Sequence, residues 1–207
     1  TLAMMHHGCL HSLSTLTLLL PLTRALTFDR RGFALMMAGA GTEATTAAAP
    51  RSNKVLEGII RYHHLWVDDH GETHVKRDCP FGPLEKKGYA SDSQQYVKSF
   101  ASDFKMADMI VTQQFGENPW HHCPAPQFVT TIAGSWYIKT TDGDVLIMKP
   151  GDVLFQDNIK SHPRAEGGTR KAMHFSGVHG DEPCNQLIVQ VDVEPQVGEP
   201  CRWSAEK

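Results

Sequence analysis

Two short clusters hold most of the side chains in this 207-residue sequence whose types and spacing could do chemistry. The first runs Trp120-His121-His122-Cys123-Pro124-Ala125-Pro126-Gln127. The second runs Pro150-Gly151-Asp152-Val153-Leu154-Phe155-Gln156-Asp157 and is followed by His162. Two imidazoles with one or two oxygen or nitrogen donors suit Fe, Mn, Ni, Cu or Zn, and a cysteine thiolate would favour a softer ion such as Zn. Patterns for other chemistries are missing: the sequence has no GxSxG elbow, no GxxxxGK[ST] phosphate loop, no HExxH, no GxGxxG after a strand and no CxxC pair.

Donors this far apart in sequence meet only if neighbouring strands carry them inward, since side chains of a strand alternate between its two faces. The sequence supplies such strands. Val55–Val67 and Thr73–Val75 flank Asp68-Asp69-His70-Gly71 and read as a hairpin. Residues 78–105 are polar and rich in turn formers, which predicts a long loop with one short helix. Strands are expected at Met109–Gln114, Phe128–Ala133, Ser135–Lys139, Val145–Met148, Val153–Gln156, Arg170–Phe175 and Leu187–Val191. Turns at Thr141-Asp142-Gly143-Asp144 and Lys149-Pro150-Gly151-Asp152 separate them. Short strands at this spacing predict an all-β barrel or sandwich over residues 51–207.

On these residues the chain resembles the cupin superfamily. Cupins carry two histidines one residue apart, then a glutamate and a glycine seven beyond it; a Pro-Gly-Asp-like turn and a third histidine follow. Here Gln127 and Gly134 keep the glutamate-to-glycine spacing, His121 falls at the first histidine and His162 at the third. The chain departs from the pattern at Cys123, in the second-histidine place, and at Gln127, in the glutamate place. The likeness covers roughly residues 110–192. It implies a single jelly-roll barrel with His121, Gln127, His162 and Cys123 as metal ligands. Trp120, His122 and His174 would line a ligand pocket. It also implies a small-molecule ligand, metal-assisted chemistry of oxygenase, isomerase or lyase type, and a homodimer. The loss of the glutamate keeps open a metal-free, non-catalytic ligand-binding or structural protein.

Plainer duties stand beside these. Cys123 reads as a small buried hydrophobe, Trp120 as packing at a barrel end, and His174 as a core or surface histidine. His63-His64 point to opposite faces of a strand and His70 and His74 flank a turn, so both pairs read as structural or solvated. Asp157 reads as a turn residue. Cys184 and Cys201 could close a loop in an oxidising space.

A net charge of −3 gives no electrostatic case for nucleic acid or an anionic membrane. Residues 1–50 differ from the rest: Arg24, Arg30 and Arg31 are their only basic residues, and they hold none of the tryptophans. The run LSTLTLLLPL is too short to span a bilayer and suits a signal-peptide core. Asp29-Arg30-Arg31-Gly32-Phe33-Ala34-Leu35 and the alanines that follow resemble a twin-arginine export signal. Two signals in series predict a plastid protein sent to the thylakoid lumen; a secretory or mitochondrial leader is the alternative.

Overall fold

A computed structural model describes residues 55–205, and the expected targeting region 1–50 lies outside them. The described chain is all β. Twelve strands follow in order: β1 (Arg61–Val67), β2 (Thr73–Pro80), β3 (Glu85–Ala90), β4 (Ser93–Val97), β5 (Lys105–Gln114), β6 (Glu117–His121), β7 (Gln127–Ala133), β8 (Trp136–Lys139), β9 (Val145–Met148), β10 (Val153–Gln156), β11 (His174–Val178) and β12 (Cys184–Asp192). Six of them form one sheet in the order β2-β1-β10-β7-β12-β5, and four form a second in the order β6-β11-β8-β9. β3 and β4 pair as a separate hairpin.

The sheets do not close into the expected barrel. β5 lies at the edge of the larger sheet and β6 at the edge of the smaller. Between them the chain turns at Gly116, whose φ of 63° sits in the left-handed region that glycine enters without strain. The strands therefore change sheet without a ladder joining the edges. The expected short helix in 78–105 is replaced by the β3–β4 hairpin and the start of β5. β6 was not expected at all; its Pro119 and polar residues hide it, but an edge strand tolerates a proline.

One apolar core fills the space between the sheets. Leu65, Val129 and Leu154 from the larger sheet meet Trp136, Ile138, Leu146 and Met148 from the smaller. Gly134 makes the tight start of β8: its φ is 71°, and a Cβ there would lie 2.4 Å from the Pro183 carbonyl oxygen. This explains the glycine at that spacing without reference to any ligand.

A second core lies on the outer face of the larger sheet. Tyr62, Phe155, Val191 and Trp203 are joined there by Phe81, Phe100, Phe104 and Phe128. The C-terminal tail forms part of this cover: the Trp203 N–H donates to the Tyr62 hydroxyl at 2.8 Å, and a disulfide joins Cys79 to Cys201. Cys201 thus pairs with Cys79 and not with Cys184, which is free and buried against the inner core. No helix among the described residues is long and apolar enough to cross a membrane.

Candidate functional site

Between the sheets, beyond the end of the apolar core, lies a cavity of about 450 Å³. Its walls come from both sheets. The larger sheet contributes Gln113 and Gln114 from β5, Gln127 from β7, Gln156 from β10, and Gln186 and Gln190 from β12. The smaller contributes Asn118 and His121 from β6, His174 and Ser176 from β11, and Trp136 from β8. No Asp, Glu, Lys or Arg is among the lining residues.

The register explains the glutamines. Gln156 pairs with Gln127 across β10–β7, and Gln127 pairs with Gln190 across β7–β12, so three amides stand in one row. Directly opposed residues in a sheet share a face. Gln190 Nε2 donates to Gln127 Oε1 at 3.4 Å, and Gln186 Nε2 donates to Gln114 Oε1 at 3.3 Å. Gln114, Gln127, Gln156 and Gln186 are buried. Gln156 Oε1 and Gln114 Nε2 have no partner within the protein. Buried amides left short of partners are costly, which is why they are uncommon away from sites of recognition.

The imidazoles are likewise placed by register. His121 and His174 are cross-strand partners on β6 and β11, with ring centroids 4.2 Å apart. His121 Nδ1–H donates to the Pro119 carbonyl at 2.7 Å, so in the neutral ring the bare nitrogen is Nε2. His174 is arranged the other way round. Asn158 Nδ2 donates to the Ala172 carbonyl at 3.0 Å and lies 2.9 Å from His174 Nδ1. A carbonyl can only accept, so the amide group facing both atoms is the NH₂, and His174 Nδ1 must be the acceptor. Its proton is therefore on Nε2. Burial, reinforced by the neighbouring His121 and His122, pushes the His174 pKa well below the ordinary imidazole value, which keeps the ring neutral.

Of the seven residues singled out from sequence, His121, Gln127 and His174 line the cavity and the other four do not. His162 sits in the turn after β10, where both ring nitrogens are used: Nδ1 accepts the Arg164 N–H at 3.0 Å and Nε2–H donates to the Gln196 carbonyl at 3.3 Å. Cys123 is buried beside Ile159, and burial, with the Asp157 charge adding to it, pushes its thiol pKa well above the usual value. A neutral thiol is a poor metal ligand. His122 donates to the Lys171 carbonyl, and Trp120 lies under the Arg170 guanidinium, 4.9 Å from ring centroid to Cζ. The four expected metal ligands therefore do not converge.

Among the described residues, one group of three His, Cys or carboxylate donors comes within mutual reach: Asp68, Glu72 and His74, whose ligand atoms lie within 4.8 Å of one another. It is a possible metal-binding group with other work in hand. Asp68 Oδ1 accepts the His70 and Glu72 N–H groups, and His74 lies between Asp68 Oδ2 at 3.2 Å and Asp142 Oδ2 at 2.7 Å. Burial pulls the His74 pKa down, but the hydrogen bonds to Asp68 and Asp142 outweigh it and the net shift is upward. An imidazolium held between two carboxylates accounts for the cluster without an ion.

Sequence reasoning singled out Gln127 but passed over the other glutamines of the cavity and Asn158. A usable signal was present: Gln127, Gln156 and Gln190 sit next to Phe128, Phe155 and Val189, at the strand positions whose parity points between the sheets. Polar residues at inward positions mark either an error of register or a site.

No family model matches the chain. No curated protein matches it. Among solved structures, protein NMB1881 from Neisseria meningitidis is similar to it with a TM-score of 0.31 and 10% identity, over 46% of this chain and 89% of that one. A likeness of that extent carries no argument about fold or function.

Proposed function

We propose that this protein is a cupin-type jelly roll that binds a small, polar, uncharged organic molecule between its sheets. The observation that carries the reading is the composition of the cavity wall: six glutamines and a pair of imidazoles, with no charged side chain. A carboxylate, phosphate or ammonium group entering this space would lose its water and meet no opposite charge, a penalty of several kcal/mol by general estimates. An uncharged ligand with hydroxyl, carbonyl or amide groups meets donors and acceptors on both sides.

This reading does not call for a resident metal. With His162 and Cys123 away from the cavity, His121 is the one proposed ligand whose second ring nitrogen already donates to a carbonyl, as a ligating histidine requires. Gln127 would be a weak neutral partner beside it. Metal-assisted oxygenase, isomerase or lyase chemistry draws no support from that donor set, and binding without catalysis is the function it favours.

The test is a titration of the ¹⁵N-labelled full chain with two small probes of similar shape, lactamide and lactate, followed through the side-chain NH₂ signals. Lactamide is expected to shift the signals of the buried cavity glutamines Gln114, Gln127, Gln156 and Gln186 and lactate to leave them in place. Equal responses to the two probes, or a lactamide response confined to surface amides, would count against the reading.

A further inference from the structure

We propose that Asn158 decides what the cavity can hold: by donating to His174 it fixes that imidazole in the tautomer opposite to the one the Pro119 carbonyl sets at His121, which suits the pair to a ligand group that presents a lone pair and an X–H side by side and unsuits it to a divalent cation. The inference rests on the cavity reading above and narrows the ligand to groups such as a carboxamide, a lactam or an α-hydroxycarbonyl.

The argument starts from Asn158 itself. It is wholly buried in the turn after β10, and its backbone carbonyl accepts the Cys123 N–H at 3.3 Å, so the residue is anchored to the segment between β6 and β7. Its NH₂ has two hydrogens and two acceptors, Ala172 O and His174 Nδ1. Turning the amide over would set an oxygen against the Ala172 carbonyl and bury the NH₂ on the side where Oδ1 now has no partner, so the orientation is determined. A histidine that binds a metal through Nε2 must carry its proton on Nδ1 and donate it to a carbonyl or carboxylate. His174 Nδ1 instead accepts a hydrogen bond from Asn158. Metal binding at Nε2 would place an N–H against an N–H.

His121 and His174 therefore offer one acceptor and one donor, Nε2 of the first and Nε2–H of the second, from rings whose centroids are 4.2 Å apart. A carboxamide meets such a pair with its N–H and its C=O. A bare cation meets only one lone pair. The glutamine row on the opposite wall adds neutral donors and acceptors and no compensating negative charge.

Two measurements on the full chain test this. Long-range ¹H–¹⁵N spectra at neutral pH are expected to show His174 protonated at Nε2 and bare at Nδ1, with His121 the reverse; a proton on Nδ1 of His174 overturns the proposal. The second is a Co²⁺ titration of wild type, Asn158→Asp, and Asn158→Asp with His121→Ala. A carboxylate at 158 accepts from Nδ1 and frees Nε2, so Asn158→Asp is expected to bind Co²⁺ at least tenfold more tightly than wild type, and the added His121→Ala to abolish the gain. Cobalt held at Asp68, Glu72 and His74 would not respond to His121→Ala. Equimolar Co²⁺ uptake by wild type through His121, or a folded Asn158→Asp that gains no affinity, also overturns it. Should Asn158→Asp fail to fold, the spectra of the wild type decide alone. Neither readout uses an organic ligand, so a failed lactamide titration with the expected tautomers would sink the ligand reading and leave the lock standing.

Discussion

The two faces of the six-stranded sheet are built from adjacent residues and have opposite characters. On β7, Gln127 lines the cavity while Phe128 packs into the outer aromatic core; on β10 the same holds for Gln156 and Phe155, and on β12 for Gln190 and Val189. A shift of one residue in any of these strands would exchange the two sets. The outer face is aromatic and tied down by the Cys79–Cys201 disulfide. The inner face holds an apolar core at one end and, at the other, a set of amides two of whose buried polar atoms lack partners. The comparison indicates a division of labour in which the outer side supplies stability and the inner side is left free to be polar.

The strongest way to break that comparison is to remove an aromatic ring from the outer side. Phe155 is fully buried and its ring lies 4.8 Å from that of Phe128 and 5.3 Å from that of Trp203, centroid to centroid. Phe155→Ala is expected to destabilise the protein by about 3–5 kcal/mol in denaturant unfolding, the usual range for a buried Phe truncated in a core. Its folded fraction should still respond to lactamide. A loss well under that range would mean that the outer core is not what holds the sheet.

A buried histidine lies within the outer core, and it sharpens the contrast with the cavity histidines. His64 is fully buried between Tyr62 and Phe155, and neither of its ring nitrogens has a partner. Burial, with the Arg202 charge adding to it, lowers its pKa from 6.5 to about 3. The unfolded chain therefore takes up a proton that the folded chain refuses. Stability from neutral His64 is intact above about pH 6.5 and is lost progressively as the pH falls toward about 3. Asp157 works in the opposite direction: burial raises its pKa to about 6, against the pull of Gln196 and Arg202, so its protonation favours the folded state as the pH falls below that value. The difference between wild type and His64→Leu isolates the first effect. The variant is expected to lose less stability than wild type between pH 6.5 and 4.5, read as the denaturation midpoint at each pH; parallel curves would show that His64 is not held neutral.

How much of this was legible in the sequence depends on whether local or distant contacts decide each feature. The strands from β7 to β10 are short apolar runs between glycine turns, and local patterning is enough to find them. His162 stands at a family-like spacing from Pro150-Gly151-Asp152, but its ring is turned to cap Arg164 and reach Gln196. Spacing along the chain does not report that. His174 belongs with His121 only because β11 pairs with β6 in one register, a contact across more than fifty residues. The Cys79–Cys201 pairing depends in the same way on where the tail crosses the outer core. His63 and His64 do lie on opposite faces as alternation predicts, but both are buried, since β1 has sheet neighbours on each side and a core on each face.

The smallest expected effect makes the finest test of the two-faced sheet. Gln156 is next to Phe155, equally inaccessible to solvent in practice, yet its Oε1 is an acceptor without a donor. If the inner end of the sheet were there for stability, replacing this residue would harm the fold as Phe155→Ala does. If it is there for recognition, Gln156→Leu removes an unsatisfied polar atom and adds apolar contact with the neighbouring core. Stability should then hold or rise by about 1 kcal/mol, the low end of the penalty for a buried unpaired group. The same variant should weaken the lactamide response of Gln127, its partner in the ladder. A drop in stability of more than about 1 kcal/mol, measured by the same denaturant titration, would instead assign the amide row a structural role, since an unsatisfied group whose removal costs that much must be held by contacts worth more than its desolvation.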